Sequence, residues 1–110
     1  MLAKTARLSK KDFDHHFKIG KRFHFTHCTI IYSPAAALHG SVVVSRKVSK
    51  KAVMRNTIRR RVYAQLRNVA ETNDATGVFI IIIKPAYMNL TRKSALADIN
   101  AHIASVIKKT

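Results

Sequence analysis

An α+β sandwich of two layers, built on one small, mostly antiparallel sheet with about three helices, is the fold class predicted for this chain of 110 residues. Three patterns carry that expectation. Met54, Ile58, Val62 and Leu66 recur every four residues, and Val69 continues the stripe, as one face of an α-helix requires. Leu96, Ile99, Ile103, Val106 and Ile107 repeat the 3–4 spacing in a second amphipathic helix. Between them, residues 78–83 read Val-Phe-Ile-Ile-Ile-Ile, a uniformly apolar run suited to a strand covered on both faces.

The remaining elements follow in order. Ser9 suits an N-cap, with Asp12 three residues on as a weak capping box. Phe13 and Phe17, with Leu8 or Ile19, give the first helix its apolar side, and Gly20 suits the C′ position. A strand region spans 22–33, with Phe23, Phe25, His27, Thr29 and Ile31 on one pleat face. His24, Thr26, Cys28, Ile30 and Tyr32 take the other, and blurred alternation at 29–32 predicts a bend or bulge there. Residues 33–40 read as a loop and 41–46 as a strand around Val42, Val43 and Val44. The basic helix is expected to begin near Ser49 as its N-cap, and 72–77 to form a turn. Pro85 ends the apolar strand and Thr91 caps the last helix. Strand 41–46, the basic helix and strand 78–83 make one crossover unit, for which general statistics favour the right hand. No linker, repeat or low-complexity segment is visible, so 1–110 is read as a single domain.

Charge points to the partner. Lys and Arg number 21 against five acids, a formal net charge of +16, while a hydrophobic content of 47% argues for a folded core. Nine of the cations fall within residues 45–67, which contain no acid. Charge of one sign at that density calls for a polyanion, since solvated helix faces usually mix signs. The longest apolar run has six residues, too few to span a bilayer, and no secretory signal is legible at the start. Cys28 stands alone, which fits a reducing cytoplasm and a small core side chain.

Catalytic constellations are not legible. Asp12, Asp14, Glu71, Asp74 and Asp98 show no spacing that would converge on Mg²⁺. His24 and His27 point to opposite strand faces and His15 and His16 diverge on a helix. Without Cys partners no zinc centre is expected, so neither a catalytic residue nor a protein metal site is assigned. Placed in the first turn of the basic helix, Lys50 and Lys51 would each oppose its dipole by about 0.3–1 kcal/mol, a balance that a docked phosphate reverses. Arg60 and Arg67 lie opposite the apolar stripe, and Arg55 and Arg59 at its margin.

Arg46-Lys47 after a Val-rich strand, then Arg55-Asn56-Thr57-Ile58-Arg59-Arg60, resembles the signature of the bacterial ribonuclease P protein family, whose core runs Arg-Asn-Arg-Ile-Lys-Arg. The stretch RLSKKDFDHHFKIGKRF is similar to that family's opening helix, and VFIIIIKP and the closing helix fall where the family has them. Thr57 replaces the family's second Arg, and Tyr63 and Ala64 stand where an Arg-Glu pair is usual. The resemblance implies a ribosomal protein S5 domain 2-like fold with a left-handed crossover. It implies a protein subunit that binds the catalytic RNA and the 5′ leader of precursor tRNA, assisting leader removal in the bacterial cytoplasm. The RNA subunit would use Mg²⁺ for the hydrolysis, and the free protein would be non-catalytic and monomeric. Arg46, Lys47, Lys50, Lys51, Arg55, Asn56, Arg59 and Arg60 would contact the RNA subunit. Phe13, Phe17 and Tyr32 would meet the leader, where exposed rings can stack on unpaired bases; a core role for the two Phe is compatible with partial burial. The alternative is a ribosomal or other structural RNA-binding protein without a processing role.

Overall fold

The structure is a computed structural model that describes residues 8–110. The reading of the opening stretch, Met1 to Arg7, lies outside these residues. Helix α1 (Lys10–Ile19) leads into a hairpin of β1 (Lys21–His24) and β2 (Cys28–Ser33). Strand β3 (Leu38–Val43) is followed by the long helix α2 (Ala52–Thr72) and by β4 (Gly77–Ile83). A single 3₁₀ turn over Pro85–Asn89 precedes helix α3 (Arg92–Lys109).

The four strands form one sheet in the order β1-β2-β4-β3. Two junctions are antiparallel and the third, β3 with β4, is parallel, with Val42 opposite Ile81. Each face of the sheet has its own core. On one, Cys28, Ile30, Val42, Phe79, Ile81 and Ile83 pack against Ile58, Val62 and Leu66 of α2 and Ile99, Ile103 and Val106 of α3. On the other, Ile31, Val78 and Ile80 meet Phe13 and Phe17 of α1. β2 and β4 are therefore buried on both sides.

That double burial explains the main departures from the sequence reading. The blurred alternation at 29–32 marks no bulge; Thr29 to Tyr32 pair regularly with β1 and β4, because both faces of β2 are core. The break falls earlier, where the Phe25 N–H donates to the Cys28 carbonyl at 2.9 Å and splits the 22–33 segment into a hairpin. Lys84 ties this turn to the sheet, its N–H donating to the His27 carbonyl and its Nζ to the Phe25 carbonyl at 2.6 Å.

β3 lies earlier than 41–46, because Leu38 and His39 already pair with Gly77 and Val78. Helix α2 starts at Ala52 rather than near Ser49, and burial begins only at Ile58. Its first turn overhangs the core, which leaves Met54 exposed rather than part of the buried stripe. Ser9 and Thr91 cap α1 and α3 as expected, accepting from the N–H groups of Asp12 and Ser94.

Gly20 closes α1 with an extended φ of −66°, not a left-handed one. A glycine is needed there for space. A Cβ would stand 2.4 Å from Ile31 Cγ2 and 2.8 Å from the His16 carbonyl oxygen. Gly20→Ala should therefore destabilise the fold by about 1–3 kcal/mol through overpacking, read from urea or thermal melts. An unchanged melt would show that α1 lifts from the sheet without cost.

Candidate RNA-binding surface

The basic segment begins where β3 ends. Val44 and Val48 are buried and pin the connection to the core, while Ser45, Arg46, Lys47, Lys50 and Lys51 face solvent. Arg46, Lys47, Lys50, Ala52 and Arg55 line one open depression of about 640 Å³. Arg55 holds it in shape: its Nη1 donates to the carbonyls of Ser49 and Lys50, both at 3.0 Å. A guanidinium with its plane so engaged orders the loop and still presents positive charge to the depression.

Lys50 and Lys51 do not lie in the first turn of α2. Lys51 is its N-cap and makes no side-chain capping bond, so the first amides of the helix point toward the lysine-rich loop without a side chain to satisfy them. Asn56, Arg59 and Arg60 stand further along α2, outside the depression, and Arg59 Nη1 donates to Asn56 Oδ1. Tyr63, on the same side of the helix, is buried and its hydroxyl accepts the Val42 N–H of β3 at 3.2 Å. The departure from the family's usual residue thus serves the sheet edge.

Phe13 and Phe17 lie on the opposite sheet face, half-buried, with ring centroids 5.7 Å apart. Arg22 covers Phe17, its guanidinium 4.5 Å from the ring centroid and its Nη2 donating to the Phe17 carbonyl at 2.9 Å. His16 Nδ1 lies 2.7 Å from Ser33 Oγ and fixes the helix across β2. The main contacts of α1 are with β2 and β4, which leaves the β3 edge of this face less covered. His39, Ser41 and Val43 alternate onto it and stay partly exposed, flooring a trough beside the aromatic wall. Tyr32 is not part of that wall. Pleat parity turns it to the α2 side, where it packs edge-on against Phe79 and donates to the Thr76 carbonyl at 3.1 Å.

Two features escaped the sequence reading because distant segments build them. Arg61, Gln65, Tyr87, Arg92 and Lys93 line a second depression between α2, the 3₁₀ turn and α3. Burial raises the Tyr87 phenol above its usual range, an effect that Arg61 partly offsets. His27, Asp98 and His102 converge across 71 residues of chain between the first pair, with the His27 Nδ1 and Asp98 Oδ2 atoms 2.8 Å apart. The lone Cys28 beside them is buried; desolvation first, then Asp98, push its thiol up to about 12.

Fold and charge together define a class: a small α+β protein with a strongly cationic loop and helix on its surface. The family model described as ribonuclease P matches residues 2–106. The chain belongs to the ribonuclease P protein family, the protein side of tRNA 5′-end processing. It is 32% identical to the ribonuclease P protein component of Microcystis aeruginosa, over 82% of this chain and 80% of that one. It is 30% identical to that of Cyanothece sp., over 90% of each chain. Solved structures of Staphylococcus aureus RNase P protein share the fold: a mutant form superposes with a TM-score of 0.73 at 19% identity, over 96% of this chain and 90% of that one.

Removing the Arg55 side chain should loosen the loop more than the helix. Arg55→Ala is expected to speed amide exchange across residues 46–51 while the amides of 58–70 keep their protection. Equal acceleration in both segments, or in neither, would contradict the anchoring role.

Proposed function

We propose that the protein acts as the non-catalytic subunit of a ribonuclease P holoenzyme, holding the catalytic RNA on its basic loop and helix and the 5′ leader of precursor tRNA in the trough behind. The observation that carries this reading is the gathering of Arg46, Lys47, Lys50 and Arg55 around one depression at the end of β3. Asn56, Arg59 and Arg60 extend it along α2. Lys51, at the uncapped helix start, adds charge where backbone amides already favour a phosphate.

The trough suits a single strand. Phe13 and Phe17 offer aromatic surface, Arg22 a cation for the backbone, and His39 and Ser41 polar edges along the floor. Tyr32 is left out of this assignment by its position. The protein's donors do not suit Mg²⁺. Among the described residues, the one group of three His, Cys, Asp or Glu side chains near enough to share an ion has two imidazoles and a single carboxylate. Mg²⁺ is assigned to the RNA subunit, where it would activate water. The protein's part is to position RNA and screen phosphate charge. Its setting would be the bacterial cytoplasm, and the free chain a monomer. No helix among the described residues is long and apolar enough to cross a membrane.

The assembly test is direct. Added to a bacterial ribonuclease P RNA at low Mg²⁺, the protein should restore leader removal, whereas RNA-free protein should cleave nothing. Cleavage that co-purifies with RNA-free protein would overturn the non-catalytic assignment, and no stimulation of the RNA would overturn the subunit reading.

The trough has a separate readout. Phe17→Ala and Arg22→Ala should both weaken holoenzyme binding to precursor tRNA by about 1–3 kcal/mol, as loss of a base-stacking platform does. Mature tRNA, which has no leader, should bind as before. Equal weakening of both ligands would show that Phe17 serves only the core beneath α1.

A further inference from the structure

We infer that His27, Asp98 and His102 form a binding site for one divalent transition-metal ion of the zinc class, joining the β1–β2 turn to the middle of α3. Nothing in the RNA-binding reading uses these residues. His27 comes from the turn; Asp98 and His102 stand four apart on α3 and so share a helix face. Their donor atoms, His27 Nδ1, Asp98 Oδ2 and His102 Nε2, all lie within 4.8 Å of one another.

The geometry favours coordination over a plain hydrogen-bonded cluster. His27 Nδ1 lies 2.8 Å from Asp98 Oδ2, and that contact alone is an in-line hydrogen bond. His102 Nε2 lies 3.1 Å from the same oxygen, yet it is buried and has no hydrogen-bond partner among the described residues. The oxygen is close but off the axis of the ring nitrogen. Asp98 and His102 relate as two ligands of one tetrahedral ion do: with metal–donor bonds of about 2.0–2.1 Å, the nitrogen aims roughly 35° away from the oxygen, toward the metal, and His27 would turn off its hydrogen bond to join them. A buried nitrogen left unpartnered otherwise weighs against the fold.

His102 is held in place before any ion arrives. The His102 ring stacks on Phe25 with centroids 4.0 Å apart and planes 16° from parallel. Phe25 belongs to the same turn as His27, and Lys84 bonds its carbonyl. Two imidazoles and one carboxylate suit Zn²⁺, Co²⁺ or Ni²⁺ and disfavour Mg²⁺ and Ca²⁺. The side chains of His27, Asp98 and His102 are 19%, 25% and 20% exposed, so one coordination position opens to solvent and would be filled by water. A neutral His27 whose proton sits on Nδ1 carries it on Nε2 instead once Nδ1 faces the ion, so ligation needs a change of tautomer and no net loss of a proton. Because the ligands come from the turn and from α3, the bound ion would brace one end of the sheet against the helix.

Calorimetry of the purified, chelator-treated chain with Zn²⁺ alone tests this, with Co²⁺ as a visible-absorption probe of coordination number. The expected result is one equivalent bound, a cobalt spectrum of four-coordinate type and a rise in Tm that grows with free Zn²⁺. His102→Ala and Asp98→Asn should each weaken binding by at least the roughly 10- to 100-fold typical of losing even an outer-shell partner. His15→Ala should leave it unchanged. His102→Gln, which keeps the side chain's bulk, replaces His102→Ala if circular dichroism shows that variant unfolded. Failure of the wild-type chain to take up one saturable equivalent overturns the site without any variant, as does full-strength binding by His102→Gln. Neither result bears on RNA binding, so this inference and the subunit assignment stand or fall separately.

Discussion

The parallel pairing of β3 with β4 is the constraint on which the rest of this structure depends. Two parallel neighbours cannot be joined by a tight turn, so the chain must travel the length of the sheet between them. Helix α2 makes that journey, and its start is thereby bound to the end of β3. The connecting segment becomes a short, strongly cationic loop with Val44 and Val48 anchored below and Arg55 tied above. Most of the proposed RNA-subunit contacts inherit their positions from this one junction.

The two faces of the sheet are covered unequally, and the asymmetry matches the proposed division between stability and leader recognition. Helices α2 and α3 close one face with the larger core. One ten-residue helix, with no fully buried residue of its own, covers part of the other. A sheet face sealed by two helices leaves its strands no open surface for a single strand of RNA. The second face keeps an apolar bed beneath half-buried rings, with polar side chains on its less covered edge strand. Such partial coverage would waste burial in a protein selected for stability alone.

Much of this was legible in the sequence because it is local. The stripe from Ile58 to Leu66, the caps at Ser9 and Thr91, the apolar strand and the run of cations each follow from spacing within a few residues. What escaped had a tertiary cause. Two-sided burial erased the alternation of β2 and hid the hairpin turn at Phe25. Pleat parity set Tyr32 apart from Phe13 and Phe17, and the overhang of α2 left Met54 and the two lysines outside the positions the helical wheel gave them. His27 and Asp98 were invisible as partners for a plainer reason. Spacing relates a histidine only to its sequence neighbours, and the partner of His27 stands on a turn of α3 far along the chain.

The Tyr63 hydroxyl that accepts the Val42 amide has a consequence for how copies of this chain meet each other. β3 is one of the two outer strands of the sheet, and outward amides on such a strand are templates on which another chain can add a strand. A phenol supplied from α2 occupies one of them from within. The cationic loop at the end of the same strand adds like-charge repulsion against any approaching twin. Sheet growth is thus discouraged both by an occupied donor and by charge, at the border of the surface proposed to meet RNA.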